Sequence, residues 1–201
     1  MRPFVQFHEE ARFLRESSGS TNIERTLLKA LNVLKLFNIP HLVCGGFAVQ
    51  EHGYPRFTVD VDIIVPDFQL TCDKLLLNGF RETPGSHRTV TDEETKVNID
   101  ALPGGGGGRV GPGPLTLPMP THVSEKPQIL TLPDLIALKL SSYLGSPFDR
   151  AKDYADAVEL VKVNRTSRAL GVDSRIQDEY HKLWDGLSTG SNVSEFGWSA
   201  R

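Results

Sequence analysis

The chain has 201 residues, with 22 Lys and Arg against 25 Asp and Glu, a net charge of −3 and 39% hydrophobic residues. That length suits one sizeable domain, or a catalytic unit with a small helical addition, and the mixed charges give no basic stripe of the kind that grips nucleic acid nonspecifically. Cys44 and Cys72 form neither a Cys-x-x-Cys pair nor a metal-ligand pattern, the first ten residues are too charged for a signal peptide, and no apolar run approaches membrane-spanning length. The expectation is a reduced, cytoplasmic protein with two core thiols.

In chain order, residues 1–19 form an N-terminal segment, residues 20–187 the domain, and residues 188–201 a tail expected to be disordered. Ile23, Leu27, Leu28, Leu31, Leu34 and Phe37 recur at helical spacing, with Ser20 or Thr21 available as N-cap and Asn38 to Pro40 as the stop. His41 to Cys44 reads as a short strand, Gly45-Gly46 as its end, Phe47 to His52 as a helix and Thr58 to Val65 as a second strand. Leu70 to Asn78 reads as a helix closed by Gly79, and Phe80 to Glu82, Arg88 to Thr91 and Thr95 to Leu102 as further strands. The fold class predicted is α/β (α+β): a mixed, twisted sheet with helices packed on it and C-terminal helices.

Residues 103–120 are rich in Gly and Pro and are expected to form a flexible excursion. The glycine run lacks the Lys-Ser or Lys-Thr of a phosphate loop, so it reads as a mobile loop able to fold over an acceptor. Leu132 to Leu140 predicts a helix with Pro133 in its first turn, and Ile176, Tyr180, Leu183 and Trp184 predict a last helix over 174–187. His52, His87, His122 and His181 have no mutual ligand spacing.

The chemistry concentrates in Val59-Asp60-Val61-Asp62-Ile63-Ile64-Val65. On a strand, residues two apart share a face, so Asp60 and Asp62 project together while Val61 and Ile63 enter the core. Two carboxylates so placed raise each other's pKa unless a cation lies between them, and hard oxygen ligands suit Mg²⁺. In Lys96-Val97-Asn98-Ile99-Asp100-Ala101-Leu102 the same alternation puts Asp100 on a polar face, where it can complete a carboxylate triad.

Gly45-Gly46, a helix, Asp60-x-Asp62 among hydrophobics and a later strand Asp100 together resemble the polymerase-beta-like nucleotidyltransferase superfamily. The resemblance implies that the glycines and the following helix face the phosphates of a nucleoside triphosphate, which fits the permissive backbone of glycine and the free N–H groups of a helix start. Many relatives carry a Ser at the glycine pair, where this chain has Phe47 and Ala48. Downstream, Leu132-Pro133-Asp134-Leu135-Ile136-Ala137-Leu138-Lys139-Leu140 and Arg150-Ala151-Lys152-Asp153-Tyr154-Ala155-Asp156 resemble the Lys-bearing and Arg-x-Lys-Asp-x-x-Asp helices of the AbiEii-like toxin and antibiotic-modifying branches.

From this resemblance follow the expected roles. Asp60, Asp62 and Asp100 hold two Mg²⁺ ions, with Asp100 as general base. Gly45, Gly46, Arg56, Lys139, Arg150, Lys152 and Asp153 bind the nucleotide. Lys139 contacts the triphosphate, and Asp153 orients a basic neighbour while Lys152 or Arg150 faces the site. The plainer reading of that last helix is an exposed Lys152–Asp156 pair at i,i+4. The implied enzyme transfers a nucleoside monophosphate from an NTP to a hydroxyl of RNA, protein or a small molecule, releasing pyrophosphate. A catalytically silent nucleotide- or metal-binding protein, or the partner of a toxin–antitoxin-like pair, is the alternative.

Overall fold

The computed structural model describes residues 21–105, 113–124 and 127–190. Within them the elements run α1 (Asn22–Leu36), β1 (Leu42–Cys44), α2 (Gly45–Glu51), β2 (Asp60–Val65), α3 (Phe68–Leu76), β3 (Phe80–Glu82), β4 (Thr89–Asp92), β5 (Asn98–Pro103), α4 (Leu132–Gly145), α5 (Ala151–Asn164) and α6 (Gln177–Gly190). The predicted mixed sheet is present. Its five strands lie in the order β1-β2-β5-β4-β3, with β2 and β5 parallel and the other neighbours antiparallel.

Alternation along the strands separates two cores. Val61, Ile63 and Val65 of β2 and Ile99 and Ala101 of β5 join Leu27, Leu31 and Leu34 of α1 and Cys72 and Leu75 of α3 in one cluster. Ile64 joins Cys44 of β1, Ala48 and Val49 of α2, and the apolar residues of α4, α5 and α6 in the other. Asp60, Asp62 and Asp100 therefore lie on the sheet face turned from α1 and α3, toward the C-terminal helices.

Local chemistry sets the element ends. Thr21 caps α1 with a capping box: Thr21 N–H donates to Glu24 Oε2 at 2.8 Å, and Glu24 N–H to Thr21 Oγ1 at 3.2 Å. Asp67 caps α3 through Leu70 N–H, which moves that helix two residues upstream of the predicted Leu70 start. β5 begins at Asn98 rather than Thr95 because residues 93–96 form a turn. There Asp92 accepts from Glu94 N–H and Thr95 Oγ1, and Lys96 has φ +64°. β2 begins at Asp60 rather than Thr58, whose hydroxyl turns back to the Asp60 carbonyl. Thr131 caps α4, with Pro133 in the first turn as predicted.

Part of the Gly/Pro-rich stretch, expected as a flexible excursion, packs on the domain. Residues 106–112 lie outside the described residues, as do residues 1–20 and 191–201. Beyond them Leu115 and Leu117 are buried against α4, the Leu115 N–H donates to Ser141 Oγ at 3.0 Å, and Gly105 N–H donates to Leu117 O at 2.9 Å. A Cβ on Gly113 would stand 1.9 Å from Ser141 O, so this backbone lies directly on the helix. Apolar residues spaced among the prolines anchor it. Leu117→Ala is expected to destabilise the fold by about 2–5 kcal/mol in denaturant titration, the range for truncating a buried leucine; a change below about 0.5 kcal/mol would make the segment a surface loop.

Candidate active site

Three carboxylates share the polar face of the β2–β5 pair. In the parallel register Asp62 stands opposite Asp100, and Asp60 opposite Asn98. Cys44, the last residue of β1, stands opposite Asp62 on the other side. Asp62 thus lies between Asp100 and Cys44. Burial above all, and then the charges of Asp60 and Asp100, push its pKa up to about 6, against the pull of Lys139 and the Gly46 N–H. Burial, reinforced by Asp62, likewise raises the Cys44 thiol well above its ordinary value, so the thiol stays protonated.

The glycine pair permits this packing. The expected arrangement, glycines followed by a helix from Phe47, is corrected: Gly45 and Gly46 are themselves the first residues of α2. Gly45 has φ +61°, and a Cβ there would lie 1.7 Å from Asp62 Oδ2. A Cβ on Gly46 would lie 2.5 Å from Thr58 Oγ1 and 2.6 Å from Arg56 Nη2. The Gly46 N–H donates to Asp62, so in this state it serves the acid. The remaining acids have hydroxyl partners that composition alone did not single out. Thr58 Oγ1 donates to Asp60 Oδ1 at 3.1 Å, and Thr89 Oγ1 donates to Asp100 Oδ1 at 2.5 Å.

A second cluster faces the acids from α4 and α5. Lys139 Nζ donates to Asp153 Oδ1 at 2.7 Å and pairs with Asp156 Oδ2 at 2.8 Å; Ser142 Oγ donates to Asp153 Oδ2 at 2.7 Å. Burial opposes the charge on Lys139, but the two carboxylates outweigh it and raise its pKa. Burial also opposes the charge on Asp153, and Lys139 with the Ser142 hydroxyl more than compensates, leaving its pKa low. Arg56 Nε lies 3.3 Å from Asp156 Oδ1, is buried, and makes no hydrogen bond. The Arg56 carbonyl accepts from Gln50 Nε2 at 2.6 Å, which fixes its loop to α2.

Among the residues singled out from sequence, the structure brings Asp60, Asp62, Asp100, Gly45, Gly46 and Lys139 together, with Arg56 and Asp153 joined through ion pairs. Arg150 is at the rim, 3.8 Å from Asp153 Oδ2 with its side chain 56% exposed. Lys152 is exposed on α5. The Lys152–Asp156 surface pair is replaced by an inward Asp156, 2% exposed, shared by Lys139 and Arg56. Asp156, Ser142, Thr58 and Thr89 were not among the predicted site residues. Asp156 had a readable signal in its i,i+3 spacing from Asp153; the hydroxyls depend on strand register.

Among the described residues no three His, Cys, Asp or Glu side chains are already gathered into a set that could hold a metal ion. The donor chemistry nevertheless fits Mg²⁺: three carboxylates, one of them pushed up to a pKa of about 6 by burial and by the like charges of the other two. A groove of about 590 Å³ beside α1, lined by Arg25, Lys29, Asn78, Asp92 and others, shares no residue with the acids. No described helix is long and apolar enough to cross a membrane.

No family model and no curated protein matches the chain. Among solved structures it is similar to that of the antibiotic-resistance factor ANT(2'')-Ia, with a TM-score of 0.46 and 12% identity over 82% of this chain and 91% of that one.

The raised pKa of Asp62 has a stability consequence. The folded state binds this proton more tightly than the unfolded chain, so the contribution is most favourable below the unfolded value of 3.8 and is lost as pH rises through about 6. With no divalent cation, Asp62→Asn is expected to be more stable than wild type at pH 8 by up to about 3 kcal/mol, with the gain vanishing near pH 4, as read by urea titration. A pH-independent difference would place Asp62 outside the acid cluster.

Proposed function

We propose that the chain is a Mg²⁺-dependent nucleotidyltransferase that moves a nucleoside monophosphate from an NTP to a hydroxyl of RNA, protein or a small molecule, with release of pyrophosphate. The observation that carries this reading is the register of Asp62 against Asp100, with Asp60 on the same strand face and Asp62 buried among them. A fold tolerates such crowding when the acids have a cation to hold. Asp60, Asp62 and Asp100 are the residues that would hold Mg²⁺, with two ions as the full complement. Bound there, Mg²⁺ supplies charge neutralisation for the phosphates and for both the attacking and leaving oxygens.

The chain's own residues account for the rest. Asp100, at the edge of the trio, takes the proton of the acceptor hydroxyl; that oxygen bonds to the α-phosphorus as the bond to the pyrophosphate oxygen breaks. Lys139 places a buried positive charge close enough to weigh on Asp62, and its two carboxylate partners keep it charged and still. Arg56 presents a buried Nε without a hydrogen bond beside Asp156, suited to a phosphate oxygen after a small movement. Gly45 and Gly46 let nucleotide and acids approach the same backbone.

The test is incubation of the protein with Mg²⁺, each labelled NTP and a cell extract, scoring pyrophosphate release and the labelled product. Wild type is expected to label one class of acceptor, and Asp62→Asn to lose on the order of 10²-fold or more in turnover with a smaller change in nucleotide affinity. Full transfer activity in Asp62→Asn would contradict the mechanism. Nucleotide binding without any turnover would favour the silent binder or toxin–antitoxin-like partner instead.

A further inference from the structure

Strand β4 carries Thr89 directly across from Asp100. Thr89 Oγ1 donates to Asp100 Oδ1 at 2.5 Å, and Ser86 Oγ donates to Thr89 Oγ1 at 2.7 Å. A hydroxyl has one hydrogen and two lone pairs. With a lone pair of Thr89 taken by Ser86, the Thr89 hydrogen is committed to Asp100. Ser86 is itself fixed in the turn between β3 and β4: its N–H donates to Thr83 O at 3.1 Å, and its Oγ accepts from Arg88 N–H at 3.3 Å. Two residues further along β4, on the same face, the pattern recurs, with Thr83 and Thr91 hydroxyls 2.8 Å apart and Thr91 donating to Asn98 Oδ1 at 2.8 Å. That second chain ends on a neutral amide, and the first ends on an acid of the cluster.

A carboxylate on a single-bonded stem rotates freely unless one oxygen is held. Holding Oδ1 fixes the carboxylate plane and leaves Oδ2 as the oxygen for a cation or an acceptor proton, which is how partners of a ligand set its orientation. We propose that Ser86 and Thr89 form a hydroxyl relay from the β3–β4 turn that positions Asp100. Thr89 touches neither nucleotide nor cation; it acts through Asp100. The proposal rests on the nucleotidyltransferase reading of the acid cluster and adds to it a role for β4, a strand that none of the cluster residues occupies.

Mn²⁺ affinity of the full chain, followed by the loss of the free-ion electron paramagnetic resonance signal, tests it without needing the acceptor. Thr89→Val keeps the branched shape and strand preference while removing the donor. It is expected to weaken Mn²⁺ binding about 10- to 100-fold, Thr89→Ser to restore it, and Ser86→Ala to weaken it by less than Thr89→Val. Restoration by serine separates the hydroxyl from general packing. Equal affinity in wild type and Thr89→Val, or no restoration in Thr89→Ser, overturns the relay and leaves the acids intact as a cation site. Should Thr89→Val not fold, Ser86→Ala decides, and wild-type affinity there overturns the relay. Wild-type protein that takes up no Mn²⁺ overturns the proposed function and the relay with it.

Discussion

Asp62 sits beside Asp100 across a parallel strand pair, two residues from Asp60 and partly buried, and most of the site's construction answers that crowding. Gly45 lacks a side chain where one would strike Asp62 Oδ2. The Gly46 N–H, the Thr58 and Thr89 hydroxyls and the charge of Lys139 each reduce the cost of one or another carboxylate. These compensate only in part, since Asp62 still titrates near 6. A buried, under-compensated anion is a poor structural device and a good cation ligand.

The C-terminal helices are tied to this site by charge as well as by apolar packing. Lys139 on α4 is gripped by Asp153 and Asp156 on α5, and Asp156 also meets Arg56 from the loop before β2. Three elements distant in sequence thus share one buried ionic cluster, in which removing any partner strands another charge. The cluster faces the acids across the polar side of the sheet, and of its members Lys139 is the one whose charge lowers the pKa of Asp62.

How much of this was legible in the sequence depended on the range of the interactions. Two-residue alternation in β2 and β5 assigned Val61, Ile63 and Ile99 to one core and the acids to the other face, and helical spacing found α1, α4 and α6. Element ends shifted where side chains bonded locally to the backbone, as at Asp67 and Thr58, or where a turn interrupted the pattern, as at Lys96 with its positive φ. Asp156 was misplaced because its i,i+4 relation to Lys152 suggested an exposed pair, whereas the long-range partners Arg56 and Lys139 draw it inward. The roles of Thr89 and Ser86 depend on which residue stands across from Asp100, a register that periodicity does not specify. The packing of Leu115 and Leu117 was hidden by surrounding glycines and prolines.

The central claim is that the three acids are a cation site, and the most direct measurement is a crystal structure of the protein soaked with Mn²⁺ and a non-hydrolysable NTP, located by anomalous scattering. The account predicts manganese peaks among Asp60, Asp62 and Asp100, in contact with the phosphates. Manganese bound elsewhere, with the three carboxylates unligated, would contradict it.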